Sequence, residues 1–166
     1  MKTAFIIIDV QNILVETGFE TEKLLEKIAY LQDQARKEQI EIIYMQHIET
    51  PEALTSEDWQ LSPLLKRQAD EKVFQKRYNS IFKETGLKEY LDQLGIEQLV
   101  LCGMQTEYCV DTSVKVGFEY GYKLVIPEGA VTTFDGEDIP VETLNEFYEN
   151  IWAERFADVL DYKSIF

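Results

Sequence analysis

The chain has 166 residues, of which 45% are hydrophobic, 12% aromatic and 28% charged. This length fits one globular domain, which we place at residues 1–166, and it suffices for a full hydrophobic core. The formal net charge is −15, from 31 acidic residues against 16 Lys and Arg. Phosphate backbones and anionic lipid surfaces repel such a chain, so we expect no nucleic-acid or membrane partner.

The N-terminal segment MKTAFIIIDVQN places one lysine before an apolar run, as a signal peptide does. The run ends at Asp9, which makes it too short for a secretion signal, and no small-residue cleavage motif follows. No stretch approaches the roughly 20 apolar residues of a membrane span. Because Cys102 and Cys109 offer no disulfide framework, we expect a cytoplasmic, reducing location.

Apolar runs rich in β-branched residues alternate along the chain with apolar residues at helical spacing. The predicted strands are Thr3–Ile8, Glu41–Met45, Val73–Phe74, Gln98–Cys102, Lys123–Ile126 and Phe156–Leu160. The predicted helices are Glu22–Glu38, Leu87–Leu94, Thr106–Tyr120 and Pro140–Trp152. Such alternation favours right-handed βαβ units. We therefore predict a Rossmann-like, three-layer α/β/α domain with a mostly parallel six-stranded sheet.

Reactive side chains follow three of the predicted strands. Asp9 comes directly after the first strand, Lys76 after the third, and Cys109 lies in the segment after the fourth. Binding sites in parallel α/β sheets lie beyond the carboxyl ends of the strands. We therefore expect these three side chains at one edge of the sheet.

Cys109 lies in CGMQTEYCVDTS, which is predicted to be a strand end, a turn and the first turn of a helix. The partial positive charge and free N–H groups of a helix N-terminus favour a thiolate nucleophile. The same N–H groups can hold an oxyanion. The alternative, a small buried apolar residue, remains open on position alone.

Asp9 and Lys76 suggest a charge pair. A carboxylate directly after AFIII is costly to leave unpaired against an apolar edge, and Lys76 is its natural partner. A lysine taken at random is, by contrast, a solvated side chain. Once paired, Asp9 has the means to act as a general base toward the Cys109 thiol and as an acid toward a leaving group.

Three segments resemble the motifs of the isochorismatase-like cysteine hydrolases. IIIDVQN resembles their hydrophobic strand ending in Asp-x-Gln-Asn, and VFQKRYNSIF resembles their second motif, a Lys followed by a Ser and a Phe. CGMQTEYCVDTSV resembles the third, which contains Gly, Thr and a Cys-Val pair. The motifs occur in order at predicted strand ends, and the resemblance covers roughly residues 3–130.

The resemblance implies a role for each matching residue. Asp9 is then the base, Lys76 the stabilising cation and Cys109 the nucleophile of a catalytic triad. It also implies a cis peptide between Met104 and Gln105, and an oxyanion hole from the backbone N–H groups of Gln105 and Cys109. No cofactor is implied. Family members commonly form dimers or tetramers, so a homo-oligomer is expected.

Departures from the family narrow the chemistry. The nicotinamidase branch binds a metal through an Asp and several His after the second strand, whereas this chain has one histidine, His47. We therefore expect no zinc or iron centre. Members that hydrolyse a vinyl ether generally lack the cysteine that this chain retains. The resemblance thus implies a small-molecule amide or related C–N acyl substrate, cleaved through a thioester-type intermediate.

Substrate contacts and two alternatives complete the prediction. The residues predicted to line the substrate pocket are Gln11, Phe19, His47, Trp59 and Tyr78. Each of them can instead be a turn, loop or packing residue without contact to substrate. The first alternative function is hydrolysis of another bond, such as a vinyl ether or a nitrile. The second is a non-catalytic ligand-binding or assembly module.

Overall fold

A computed structural model gives the fold and describes residues 1–136 and 138–166. Within that part of the chain, seven strands form one sheet. They are β1 (Thr3–Ile8), β2 (Glu41–His47), β3 (Lys72–Lys76), β4 (Gln98–Met104), β5 (Lys123–Pro127), β6 (Val131–Thr132) and β7 (Asp158–Leu160).

Helices follow most of these strands. The α-helices are α1 (Asn12–Thr17), α2 (Thr21–Lys37), α3 (Leu87–Leu94), α4 (Asp111–Glu119) and α5 (Val141–Arg155). A π-helical turn, Thr106–Val110, leads directly into α4. Across the described residues, no helix is both long and apolar enough to cross a membrane.

The sheet is parallel, and its strand order is β3-β2-β1-β4-β5-β7, with the two-residue β6 paired to β4. The six strands of the main path correspond to the six predicted ones. β1 lies at the centre because its apolar run, Ala4 to Ile8, is buried on both faces.

Alternate residues of β1 pack into two separate hydrophobic clusters, one on each face of the sheet. Ile6 and Ile8 pack in the cluster that contains residues of α3, α4 and α5, including Trp152. Phe5 and Ile7 pack in the cluster that contains Leu24, Ile28 and Leu31 of α2. The sheet is therefore covered by helices on both faces, and the predicted three-layer α/β/α class is confirmed.

Two backbone features shape the carboxyl edge next to β1. Asp9 turns the chain away from the strand with a positive φ of 52°. Gly103 has a φ of 124°, and a Cβ atom there would lie 2.1 Å from the carbonyl oxygen of Ile8. Only glycine therefore lets β4 pass this close to the end of β1.

Candidate active site

The three reactive residues meet around the Lys76 ammonium. Its Nζ lies 2.9 Å from Asp9 Oδ2 and 3.1 Å from Cys109 Sγ. The same nitrogen lies 3.0 Å from His47 Nδ1 and 2.9 Å from the Tyr78 carbonyl oxygen. The side chains of Lys76 and Asp9 are 0% and 2% exposed, so the charge pair is removed from solvent.

Strand order explains this convergence. Asp9, His47 and Lys76 stand at the carboxyl ends of β1, β2 and β3, which are neighbours in the sheet. His47 and Lys76 are also direct cross-strand partners in the parallel register. Cys109 reaches the same edge from the π-helical turn after β4, the neighbour of β1 on its other side.

The Asp9 carboxylate has one engaged oxygen and one free oxygen. Oδ2 accepts from Lys76, whereas buried Oδ1 has no hydrogen-bond partner among the described residues. Burial raises the pKa of Asp9, and the Lys76 ammonium opposes that rise. A carboxylate oxygen of Asp9 lies within 4.8 Å of Sγ of Cys109, so the carboxylate is a nearby acceptor for the thiol proton.

The Cys109 thiol is harder to ionise than an exposed cysteine. Burial, together with the nearby Asp9 charge, raises the pKa of its thiol to about 12, and Lys76 only partly offsets this. This shift opposes the effect of the helix N-terminus, which was expected to favour a thiolate. The physical reason is desolvation, since Cys109 is only 7% exposed.

The backbone before Cys109 offers a further hydrogen-bond donor. The Met104–Gln105 peptide is cis, as the family resemblance implied. The Gln105 carbonyl accepts from the N–H groups of Tyr108 at 3.1 Å and Val110 at 3.2 Å. The Gln105 N–H itself has no acceptor within the described ranges, so it is available to a ligand oxygen.

His47 is held in one tautomer. An ammonium only donates, so Nδ1 of His47 must accept from Lys76 and the proton lies on Nε2. Nε2 lies 3.1 Å from Glu49 Oε1, to which it donates. The imidazole therefore lies between the Lys76 ammonium and the Glu49 carboxylate and contacts both.

A cavity of about 270 Å³ opens onto Asp9 and Cys109. It is lined by Asp9, Leu14, His47, Glu49, Trp59, Asn79, Gln105, Tyr108 and Cys109. Of the five predicted pocket residues, His47 and Trp59 lie in this lining.

The other three predicted pocket residues lie elsewhere. Gln11 is fully buried and donates through Nε2 to the carbonyl oxygens of His47 at 3.0 Å and Trp59 at 2.7 Å. Phe19 lines a separate cavity of about 160 Å³. Tyr78 contributes its backbone carbonyl to Lys76, while its ring lies under the Lys83 ammonium, 4.1 Å from the ring centroid.

Four lining residues were not predicted from the sequence: Leu14, Glu49, Asn79 and Tyr108. Each follows one of the site strands in the chain, and Tyr108 directly precedes Cys109. Their position after strand ends was the available signal. Nothing in their local sequence distinguishes them from neighbouring loop residues.

Asp9, His47 and Cys109 also form a potential set of metal ligands. The Lys76 ammonium contacts an oxygen, nitrogen or sulfur atom of each of these three residues, at 2.9–3.1 Å. A metal ion there would face a positive charge at contact distance, and zinc ligands must approach to about 2.0–2.3 Å. This site therefore does not fit a metal while Lys76 is in place.

Comparison with known proteins identifies the family. The model of the isochorismatase domain matches residues 3–163, nearly the whole described chain. The chain belongs to the isochorismatase family. A solved isochorismatase from Pseudomonas putida KT2440 has the same fold, with a TM-score of 0.91 and 29% identity, covering 99% of this chain and 90% of that one.

Two relatives with similar sequence identity differ in how much of their length this chain covers. Streptothricin hydrolase from Streptomyces noursei is 28% identical over 138 residues, which are 80% of this chain. The chain spans only 50% of that protein. The isochorismatase family protein YddQ from Bacillus subtilis (strain 168) is 28% identical over 155 residues, covering 86% of each chain.

Proposed function

We propose that this isochorismatase-family hydrolase cleaves a small amide or related C–N acyl substrate through a thioester on Cys109. The observation that carries this proposal is the buried Lys76 ammonium, which contacts Asp9 at 2.9 Å and Cys109 at 3.1 Å at the base of a cavity. Nucleophile, base and cation are thereby within reach of one bound acyl group.

The first half-reaction forms the acyl-enzyme. Asp9 Oδ1, the free carboxylate oxygen, takes the thiol proton while Sγ of Cys109 attacks the acyl carbon. The carbonyl oxygen becomes an oxyanion, which the backbone N–H groups of Gln105 and Cys109 stabilise. Collapse breaks the C–N bond, and Asp9 returns its proton to the leaving nitrogen, which departs as an amine or ammonia.

The second half-reaction releases the acid. Asp9 takes a proton from water, the hydroxide equivalent attacks the thioester carbon, and the proton passes to the departing Cys109 sulfur. The sum is amide plus water giving carboxylic acid plus amine. Lys76 holds Asp9 through Oδ2 during both steps and balances the negative charge that moves between carboxylate and sulfur.

Two further facts support a hydrolase over a non-catalytic ligand-binding or assembly module. A relative of this chain is a streptothricin hydrolase, although the chain spans half its length. Cys109 faces the cavity, whereas a ligand-binding module has no need of a base and an ammonium beside a thiol. No feature of the cavity favours vinyl ether or nitrile hydrolysis over C–N cleavage.

The test compares cysteine variants on a panel of small amides and ureido compounds. We expect wild-type protein to release both amine and acid, and Cys109→Ala to lower kcat/KM by at least about a thousandfold. Stopping the wild-type reaction early should leave an acyl adduct on the peptide that contains Cys109. Quantified product release and peptide mass spectrometry provide the two readouts.

Cys102→Ala is the matched control, because Cys102 is the other free cysteine and lies fully buried in the sheet. This control should keep kcat/KM within about threefold, since it removes a thiol that does not contact the cavity. Amide cleavage that survives in Cys109→Ala contradicts the covalent mechanism. Products other than acid and amine contradict the assigned bond type.

A further inference from the structure

The charged residues of the cavity are distributed unevenly. Asp9 lies at its base and is neutralised by Lys76, while Glu49 lies at its mouth with 73% of its side chain exposed. In the part of the chain that the structure describes, no Lys or Arg lines this cavity. The mouth therefore carries a carboxylate that has no Lys or Arg beside it in the described lining.

Neither nearby cation changes this balance. Lys76 is 0% exposed and has four acceptors around its ammonium, so none of its hydrogens is left for a substrate. Arg77 lines a different cavity, which shares Glu49, and forms no ion pair with Glu49 in the described residues. An anionic group in the catalytic cavity would thus meet no lysine or arginine side chain among the described residues that line it.

Glu49 is oriented by its neighbour. Nε2 of His47 donates to Oε1 at 3.1 Å, which leaves Oε2 free to accept from a ligand. His47 in turn contacts Lys76, which contacts Cys109. Glu49 at the mouth is therefore linked to Cys109 through His47 and Lys76. A positively charged group that binds Glu49 is thereby placed at a defined distance from Cys109.

Aromatic side chains add to the preference for cations. Trp59 and the exposed Tyr108 both line the cavity with Glu49. The faces of aromatic rings attract ammonium groups, with Trp the strongest. The net charge of −15 further raises the local concentration of cations over anions.

From these observations we infer that the site takes an acyl substrate that carries a cationic nitrogen, and that Glu49 is the residue that selects it. The inference rests on the proposed function, whose reaction it assigns to one class of substrate. Neutral amides are accepted more weakly, and substrates with a carboxylate or phosphate beyond the acyl group are rejected.

The test uses three thiol reagents of the methanethiosulfonate class as probes of charge at Cys109. One carries a trimethylammonium group, one a sulfonate and one a methyl group. The rate at which each reagent modifies Cys109 is divided by its rate with free 2-mercaptoethanol, which corrects for intrinsic reactivity. We expect the normalised cation-to-anion rate ratio to exceed about tenfold at low salt. Cys109→Ala supplies the background, and the label is located by peptide mass spectrometry.

Two variants separate Glu49 from the overall charge. Glu49→Gln retains an acceptor for His47 and should lower the ratio by about threefold, the scale of an exposed ion pair. Glu89→Gln on α3 removes the same charge from an exposed position outside the cavity and should leave the ratio unchanged. A ratio near one, or equal effects of both variants, overturns the inference.

Matched amides distinguish this inference from the proposed function. They are 4-aminobutanamide, pentanamide and 4-carbamoylbutanoate, which differ mainly in terminal charge. We expect kcat/KM to fall in that order. Fastest hydrolysis of the carboxylate contradicts the cation preference while supporting amide cleavage. If none is hydrolysed although the reagents show the cation preference, the proposed amide chemistry fails and the charge preference stands.

Discussion

At the scale of single residues, Lys76 is placed to balance the change of charge on sulfur that the proposed mechanism requires. Its ammonium has three hydrogens, but four acceptor atoms lie within 2.9–3.1 Å. While Cys109 is a thiol, the three hydrogens serve Asp9, His47 and the Tyr78 carbonyl. When sulfur becomes negative in the proposed mechanism, the ammonium is already 3.1 Å from Sγ and can donate to it.

Lys76→Met should reveal how strongly the buried pair depends on its cation. Asp9 would then be a buried carboxylate without a counter-charge, which costs about 3–5 kcal/mol when one partner is removed. We expect that loss in the free energy of unfolding, measured in urea, together with loss of hydrolysis. Lys76→Arg should not restore hydrolysis, because a planar guanidinium cannot donate to these converging acceptors. Wild-type stability in the Met variant would contradict a buried ion pair.

The Cys109 thiol should show an unusual pH dependence of alkylation. A raised pKa, about 12, favours the protonated form, so thiolate is scarce at neutral pH and increases as pH rises. We expect the rate with iodoacetamide to climb through pH 8–10, where an ordinary cysteine with a pKa of about 8.5 levels off. Mass spectrometry of the Cys109 peptide gives the rate at each pH.

Asp9→Asn provides a second test of the same thiol. The Asp9 charge raises the pKa of Cys109, and the variant removes it while leaving Lys76 beside the sulfur. Alkylation at pH 7 should therefore become faster, although hydrolysis is lost with its base. Slower alkylation would show that Asp9 acts as the base in this reaction too.

At the scale of elements, a buried polar cluster ties α2 and β2 to the segment that enters β3. Glu71, directly before β3, accepts from Arg36 Nε of α2 at 2.8 Å and from the Tyr44 hydroxyl of β2 at 2.8 Å. Its side chain is 9% exposed. β3 is an edge strand and ends in Lys76, so this cluster helps to fix the cation of the site.

Glu71→Gln should weaken the fold and change its response to acid. Burial acts to raise the pKa of Glu71, but hydrogen bonds from Arg36 and other donors prevail and lower it. A lowered pKa stabilises the folded state above the ordinary carboxyl range, and the benefit is lost as pH falls through the folded value. We expect a loss of about 1.5–3 kcal/mol at pH 7. The difference from wild type should shrink below about pH 4, as measured by urea unfolding at each pH.

Strong local patterns predicted most elements, and weaker ones were missed. The bounds of β1 and α3 follow from a continuous apolar run and from helical spacing that ends at Gly95, which has a positive φ of 67°. The short α1 and the two-residue β6 carry no periodicity and were not predicted. Helices after β4 and before β7 were placed within a few residues, but the π-helical turn around Cys109 has no sequence signature.

Strand ends likewise predicted the meeting of Asp9, Lys76 and Cys109 but not the cavity around them. The Trp59 loop and the end of β2 are held by Gln11, through hydrogen bonds that span 48 and 36 positions of the chain. Such contacts depend on the folded backbone. A local pattern therefore could not show that Glu49 and Trp59 line one cavity while Phe19 lines another.

At the scale of the whole molecule, the homo-oligomer implied by family resemblance remains a prediction. Several large apolar side chains are exposed, among them Phe147 at 58% and Phe118 at 42%. We expect a dimer or tetramer by light scattering coupled to size-exclusion chromatography. Phe147→Glu should shift the protein toward smaller species if α5 lies in the contact, whereas a monomeric wild type would contradict the expectation.

The strand order also determines when the site is assembled during synthesis. Of the seven strands, β1 is synthesised first, and it is an inner strand of the sheet. Its residue Thr3 accepts a hydrogen bond from Gln98, which is synthesised 95 positions later. Contacts this distant in sequence slow folding and leave an apolar strand edge open to aggregation in the meantime. When Gln98 is added to the chain, Asp9 and Lys76 have already been synthesised, whereas Cys109 has not. A nascent chain therefore contains Asp9 and Lys76 before Cys109, and the three side chains can meet only once β4, which leads to Cys109, has paired with β1.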